Sequence, residues 1–293
     1  MRILITGGAG FIGSNLTALL QGKADVTILD NLRTGSLDNL RGLNYNFIGG
    51  SITNRSAVNA AMKNIDCVVH LAALTSVQES IQNIEECVEI NSSGLLNVLE
   101  CAQNANVKKV IYASSAAVYG NTLPIETSLL QPESPYAITK LKGEMYVSMY
   151  SECSVSFRFF NVFGPKQSPY NAYASAIPLF IKQALNDEDI TINGTGEQTR
   201  DFVFINDVVN AIWYAINNSI TGTYNVSYGK STTINDLVSI ILKLSKSKSN
   251  VIHAAANQGE VMHSCGNNKK LLEQGFTFTT SFEQGLIAMF NAN

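Results

Sequence analysis

The chain has 293 residues, 45% of them hydrophobic, and carries a net charge of −3 with a pI near 5.7. That length and apolar content suffice for one large core, or a core plus a lobe, and describe an ordinary globular protein. The slight acidity excludes a phosphate-backbone binder, and no run reaches the ~20 apolar residues that cross a bilayer, so neither nucleic acid nor membrane is an expected partner.

Arg2 to Thr6 form a short β-branched apolar run, Gly7 to Gly13 follow, and Ile12 to Leu20 have the apolar spacing of a helix. Strand, glycine turn and helix are the context a dinucleotide fingerprint requires. Gly7 suits the tight turn, Gly10 allows close approach of a pyrophosphate, and Gly13 permits helix–strand packing. The helix N-terminus then offers its unpaired N–H groups to phosphate. This opening run is short and merges into the nucleotide loop, so it is not a secretion signal, and the protein is expected in the cytoplasm. A second run, Asp25 to Leu29, ends at Asp30, about 20 residues beyond Gly7, where a carboxylate bonds a ribose diol and repels a 2′-phosphate. NAD is therefore expected over NADP, with Arg33 read as a solvated loop arginine.

Apolar runs and helical patterns alternate from there: Tyr45 to Ile48, Ser56 to Met62, Cys67 to Leu71, Val88 to Ala102 and Val110 to Ala113. Such alternation implies βαβ units and a parallel sheet covered on both faces. Next comes SPYAITK, in which Ser134 is a good N-cap, Pro135 suits the first helical position, and Ile138, Leu141, Met145 and Met149 give an apolar stripe. Tyr136 and Lys140, four apart, share one face of that helix. A phenol ionises near pH 10, and bringing it to about 7 takes roughly 4 kcal/mol of phenolate stabilisation, which an ammonium and a nicotinamide cation can supply. Tyr136 is thus a candidate general base.

Val155 to Phe159 reads as a further strand, GPKQSPYNAY as a loop, Ile177 to Leu185 as a helix, Ile190 to Asn193 as a short strand, and Val208 to Ile216 as a helix. The last third adds helical patterns at Ile234 to Leu244 and Phe282 to Phe290 around short strands, and Lys243, Lys246 and Lys248 mark a solvated helix end. There is no internal repeat, low-complexity tract or linker. Cys67, Cys87, Cys101, Cys153 and Cys265 lack CxxC pairing and read as free, mostly buried thiols; His70, His253 and His263 lack metal-ligand spacing, so no metal is expected. The predicted fold is α/β, a Rossmann-like doubly wound parallel sheet over residues 1–162 with later contributions from about 200–230, and a smaller C-terminal mixed α/β substrate lobe over 163–293.

The series TGGAGFIGS, ILDNLRTG, HLAAL, INSSG, SSAAVYG, SPYAITK, RFFNVFGP, QTRDFVFINDV and GEVMHS resembles the extended short-chain dehydrogenases/reductases along essentially the whole chain, and within them the UDP-sugar 4-epimerases. The resemblance implies an NAD-dependent epimerase. Tyr136 would take the proton of the sugar's 4-hydroxyl as hydride leaves C4, and a planar 4-keto sugar would turn over before reduction on its other face. Ser115 would bond the reacting oxygen and relay its proton, and Lys140 would also hold the nicotinamide ribose. NAD would be bound by Gly7, Gly10, Phe11, Ile12, Gly13, Asp30, Asn31, Ser51, Ile52, Leu71, Ala72, Ala73, Asn91, Tyr136 and Lys140. The UDP-sugar would meet Thr75, Ser115, Tyr136, Asn161, Gln167, Ser175, Ile192, Asn193, Arg200 and Ser264.

Within the family, dehydratases and decarboxylases generally carry an acid just after the catalytic serine, where this chain has Ala116 and Ala117. Ser264 corresponds to the position that limits the pocket near the sugar's C2 substituent, and its small size implies room for an N-acetyl group. Arg200 corresponds to a diphosphate-gripping arginine, an ion pair with Asp201 being the bland alternative. The chain departs from the pattern at Asn257 and Gln258, where a second diphosphate arginine is usual, and at Ser51, where an aspartate commonly meets adenine. The competing readings are a net NAD-dependent oxidoreductase or dehydratase on a nucleotide sugar, and a non-catalytic NAD-binding scaffold. A homodimer is implied, built from the helices near Val88 to Ala102 and Tyr136 to Tyr150.

Overall fold

A computed structural model describes residues 1–169, 175–256 and 262–292. Its centre is a seven-stranded sheet whose neighbouring strands all pair in parallel. Six strands come from the first 159 residues: β1 (Arg2–Thr6), β2 (Asp25–Asp30), β3 (Asn46–Gly49), β4 (Cys67–His70), β5 (Lys109–Ser115) and β6 (Val155–Phe159). After β7 (Asn161–Phe163), β8 (Ile190–Asn193) and β9 (Thr199–Phe204), the seventh, β10 (Gly222–Val226), returns to the sheet edge beside β6. The order is β10-β6-β5-β4-β1-β2-β3. β11 (Ser231–Thr233) joins β9 and β7 in a small mixed sheet, and β12 (Val251–Ala254) pairs with β8.

The sheet is buried on both faces, which is why its strands read as continuous apolar runs rather than alternating ones. Alternation persists as a choice of core. In β1, Ile3 and Ile5 join one cluster while Leu4 joins the other; in β5, Ile111 and Ala113 face one side and Val110 and Tyr112 the other. Helices α1 (Phe11–Leu19), α2 (Arg55–Ala61), α3 (Val77–Gln82), α4 (Ile84–Val88), α5 (Leu95–Asn104), α6 (Pro135–Tyr150), α7 (Ala176–Leu185), α8 (Ile205–Asn217) and α9 (Ile234–Ser245) follow. Val58, Leu95, Val98, Leu99 and Val147 of α2, α5 and α6 fill one cluster; Leu16 of α1 and the buried stripe of α8 fill the other.

The continuous helix expected from Val88 to Ala102 is interrupted. A π-helical turn over Glu89–Gly94 separates α4 from α5. Asn91 explains it: its side-chain amide accepts from Leu74 N at 2.8 Å and donates to Leu74 O at 2.9 Å and to Thr139 Oγ1 at 3.1 Å. Aiming one side chain at two other segments takes an extra residue in the turn, and Gly94 lets Ile52 sit where a Cβ would be. The helix also starts earlier, at Ile84.

Candidate active site

The glycine loop is a close-packed cradle. Gly7 has φ +72°, and a Cβ on it would lie 2.8 Å from Ala72 N; one on Gly10 would lie 3.2 Å from the Gly7 carbonyl oxygen. A Cβ on Gly13 would strike that same oxygen. α1 therefore begins hard against β1 with Phe11 and Ile12 at its mouth, and its N-cap, Gly10, has no side chain to satisfy the first N–H groups. Asp30 at the end of β2 is buried and accepts from Ala9 N at 2.9 Å and Leu32 N at 2.8 Å. A carboxylate has about four acceptor positions, so two amides leave capacity for a ribose diol. Bare amides, an uncapped helix and this carboxylate fit a dinucleotide.

Ala72 and Leu71 line the cradle's other wall, their amides donating to Thr6 at 3.3 Å and 3.1 Å; Ala73 follows, then buried Leu74 and exposed Thr75. Ser51 is bonded to Thr53 within its own turn, Ile52 is buried, and Asn31 accepts from Arg33 N. Asn91 commits its amide to the Leu74 loop and α6, as described above. Arg33 departs from expectation. Rather than being solvated, it is ion-paired with Glu79 and Glu86.

Tyr136 and Lys140 stand on the first turns of α6, whose start is built as read: Ser134 Oγ accepts from Ala137 N at 3.1 Å, with Pro135 at the first position. Ser115, at the end of β5, lies beside the Tyr136 phenol, and its own Oγ accepts from Ala117 N at 3.1 Å. Lys140 is 4% exposed, donates to Ala113 O at 2.8 Å, and lies 5.7 Å from the Tyr136 ring centre and 5.1 Å from that of Tyr112. Burial pulls the Lys140 ammonium down to about 8. Burial also pushes the Tyr136 phenol up, against the lowering effect of the neighbouring Ser115 hydroxyl. Lysine and serine alone therefore leave the phenol neutral, and ionising it near pH 7 requires a further positive charge.

The other residues assigned to substrate lie on β7 to β9 and the chain facing them. Asn161 donates to Asp201 O at 3.2 Å, and Gln167 donates to Ser175 Oγ at 3.1 Å at the head of α7. Ile192 is buried in β8, and Asn193 at its end accepts from Gln198. Arg200 donates to Thr199 O at 2.9 Å. The Asp201 carboxylate is turned away onto the amides of Tyr228, Gly229 and Gly266, and no ion pair joins it to Arg200 among the described residues. Ser264 follows His263, which is bridged to Thr199. Asn257, Gln258 and the Gly-Glu pair after them lie outside the described residues.

The sequence matches the NAD dependent epimerase/dehydratase family over residues 3–227. The chain belongs to that family. A putative UDP-glucose 4-epimerase of Methanocaldococcus jannaschii is 34% identical, covering 99% of this chain and 97% of its own. Among solved structures, a UDP-N-acetylglucosamine 4-epimerase from Methanobrevibacter ruminantium in complex with UDP-N-acetylmuramic acid superposes with a TM-score of 0.95 at 34% identity, covering 99% and 97% of the two chains. A UDP-glucose 4-epimerase from Thermotoga maritima with UDP-glucose gives 0.95 at 31%, covering 100% and 98%. Family and relatives bear out the expected Rossmann-like fold, an NAD-dependent enzyme, and NAD as its cofactor.

This epimerase/dehydratase chain also carries site-building residues that motif reading passed over. Arg158 and Glu144, 4% and 7% exposed, are doubly bonded at 2.7 and 2.9 Å; Ser114 Oγ donates to Glu144 at 2.5 Å. Arg158 also donates to Tyr119 OH at 2.9 Å, and that hydroxyl donates to Asn225 Oδ1 at 2.7 Å. The network ties α6 to β5, β6, β10 and the turn after Ser115. Its signal was an arginine inside the apolar strand VSFRF, since a charge there requires a buried partner, and a glutamate one helical turn beyond Lys140.

Proposed function

We propose that this chain inverts C4 of UDP-hexoses through a transient 4-keto sugar, with the UDP-N-acetylglucosamine/UDP-N-acetylgalactosamine pair as main substrates and UDP-glucose/UDP-galactose also turned over. The observation carrying this is the buried Lys140 ammonium, 5.7 Å from the Tyr136 ring centre, with Ser115 beside the same phenol. Ser115 bonds the 4-hydroxyl while Tyr136 takes its proton, and as C4 is reduced again Tyr136 returns the proton. When bound, NAD supplies a reversible hydride acceptor whose pyridinium charge is the extra cation the phenol needs. Lys140 holds the ribose and adds its own charge.

Ala116 and Ala117, in the turn that follows Ser115, put no carboxylate where elimination of water needs an acid. That favours epimerisation over dehydration. Arg200 grips the diphosphate with Asn161, the guanidinium fork matching phosphate oxygens. Gln167, Ser175, Ile192 and Asn193 hold sugar and uracil in the 163–293 lobe, and Ser264 leaves space at C2. Exposed Ile84, Val88, Leu96, Ile138, Met145 and Met149 on neighbouring α4, α5 and α6 support a homodimer seam.

Incubation with each UDP-hexose and each UDP-N-acetylhexosamine, with chromatography of the product sugars, tests the reading. C4-inverted product with no net change of added NADH is expected; a 4-keto-6-deoxy product or net dinucleotide turnover would overturn it. Ser264→Tyr should abolish the acetylated activity selectively, and equal loss on both sugar types refutes the pocket assignment.

A further inference from the structure

Arg33 stands three residues past Asp30, in the loop leaving β2. An arginine so placed is the feature that lets related sites accept a 2′-phosphate. Here three of its five N–H donors, including both at the end of the fork, are taken. Nη1 and Nη2 donate to the two carboxylate oxygens of Glu86 at 2.5 and 3.0 Å, and Nη2 also donates to Glu79 at 2.7 Å. Glu79 lies in α3 and Glu86 in α4, in the segment that follows β4, two strands away from β2 in the sheet. The contact therefore arches over the C-terminal ends of β1 and β4, where the glycine loop lies.

The three side chains are 36%, 25% and 43% exposed, so an incoming anion can reach them. Paired hydrogen bonds to one carboxylate and a third to another occupy the end of the fork and neutralise its charge, leaving a phosphate only the Nε and one Nη1 N–H. The two carboxylates also add negative charge on the side from which the phosphate would come. We propose that Glu79 and Glu86 are specificity determinants for the unphosphorylated dinucleotide, because by holding Arg33 they deny a 2′-phosphate the cation it needs beside Asp30. The inference rests on the assignment of Asp30 to the ribose diol.

The test is binding, read by fluorescence titration of NADH and NADPH into the 293-residue chain freed of dinucleotide. In Glu79→Gln/Glu86→Gln, NADPH should bind at least about tenfold tighter while NADH changes less than about twofold. Adding Arg33→Ala to that double variant should remove the gain. An unchanged NADPH affinity, or a parallel change for both dinucleotides, overturns the proposal; the latter makes the ion pair a strap with no selectivity. Asp30→Asn separates the two layers. If it leaves NADH and NADPH binding as in the wild type, the ribose assignment itself is wrong and the proposal falls with it. If it responds while the Glu79/Glu86 variant does not, the proposal alone fails.

Discussion

Replacing Lys140 by methionine removes a buried ammonium while keeping most of its alkyl length, and the geometry sets the expected effect on Tyr136. The charge lies 5.7 Å from the phenol ring centre. With an effective dielectric of about 20, a unit charge at that separation stabilises a phenolate by about 3 kcal/mol. That equals about two pKa units. In the proposed mechanism the phenolate is the working form; losing the cation raises the Tyr136 pKa, and the acid limb of kcat/KM should move up by about two pH units. Well below the limb, turnover falls about a hundredfold, and raising the pH restores it. Because burial pulls the Lys140 ammonium down to about 8, the wild type's advantage should narrow above that pH as it loses the same charge. The assay is kcat/KM for UDP-hexose epimerisation across the pH range. A loss uniform in pH, with the limb unmoved, would show that Lys140 only holds ligand and would refute the electrostatic argument.

His70 is wholly buried against Thr6, and burial lowers its pKa to about 3, so it folds neutral. Its contribution to stability is therefore complete above the unfolded value near 6.5 and is lost as pH falls toward about 3; between about pH 6.5 and 5 this amounts to ~2 kcal/mol. In His70→Gln the melting temperature should fall less steeply over that window, and an unchanged slope would be contrary evidence. Glu144→Gln leaves the Arg158 guanidinium buried without a counter-charge and should cost about 3–5 kcal/mol by urea unfolding, with Glu144→Leu/Arg158→Met recovering much of it. Gly143→Ala puts a methyl against the Tyr112 ring and hydroxyl and should cost about 1–3 kcal/mol, part of which Tyr112→Phe regains.

Local chemistry carried most of what could be read from the chain. The α6 start was legible because Ser134 and Pro135 act on their own helix, and the glycine cradle because only Gly tolerates those contacts. Long-range matters were not. Arg33 looked solvated because Glu79 and Glu86 are far along the chain, and nothing local announces an arginine's partner. The break at Glu89–Gly94 was hidden for the same reason, since Asn91 answers to Leu74 and Thr139 rather than to its helix neighbours. For Tyr136 and Lys140, four residues apart sets proximity, but the burial that opposes the phenolate is a property of the assembled site and cannot be read from spacing.

The edge strand Gly222–Val226 has a bearing on how the molecule is made. Until the ribosome has delivered it, β6 (Val155–Phe159), every residue of which is buried in the finished protein, has an open flank with unpaired amides and carbonyls, the kind of surface that recruits foreign strands. A fragment ending near Phe163 would present that flank permanently, and would lack Asn225, the acceptor that completes the Arg158–Tyr119 chain of contacts. Nascent chains are thus exposed to mispairing for the time it takes to synthesise some sixty further residues, about 3–12 seconds at ordinary elongation rates, and the seven-stranded sheet cannot be completed ahead of the segment that closes it.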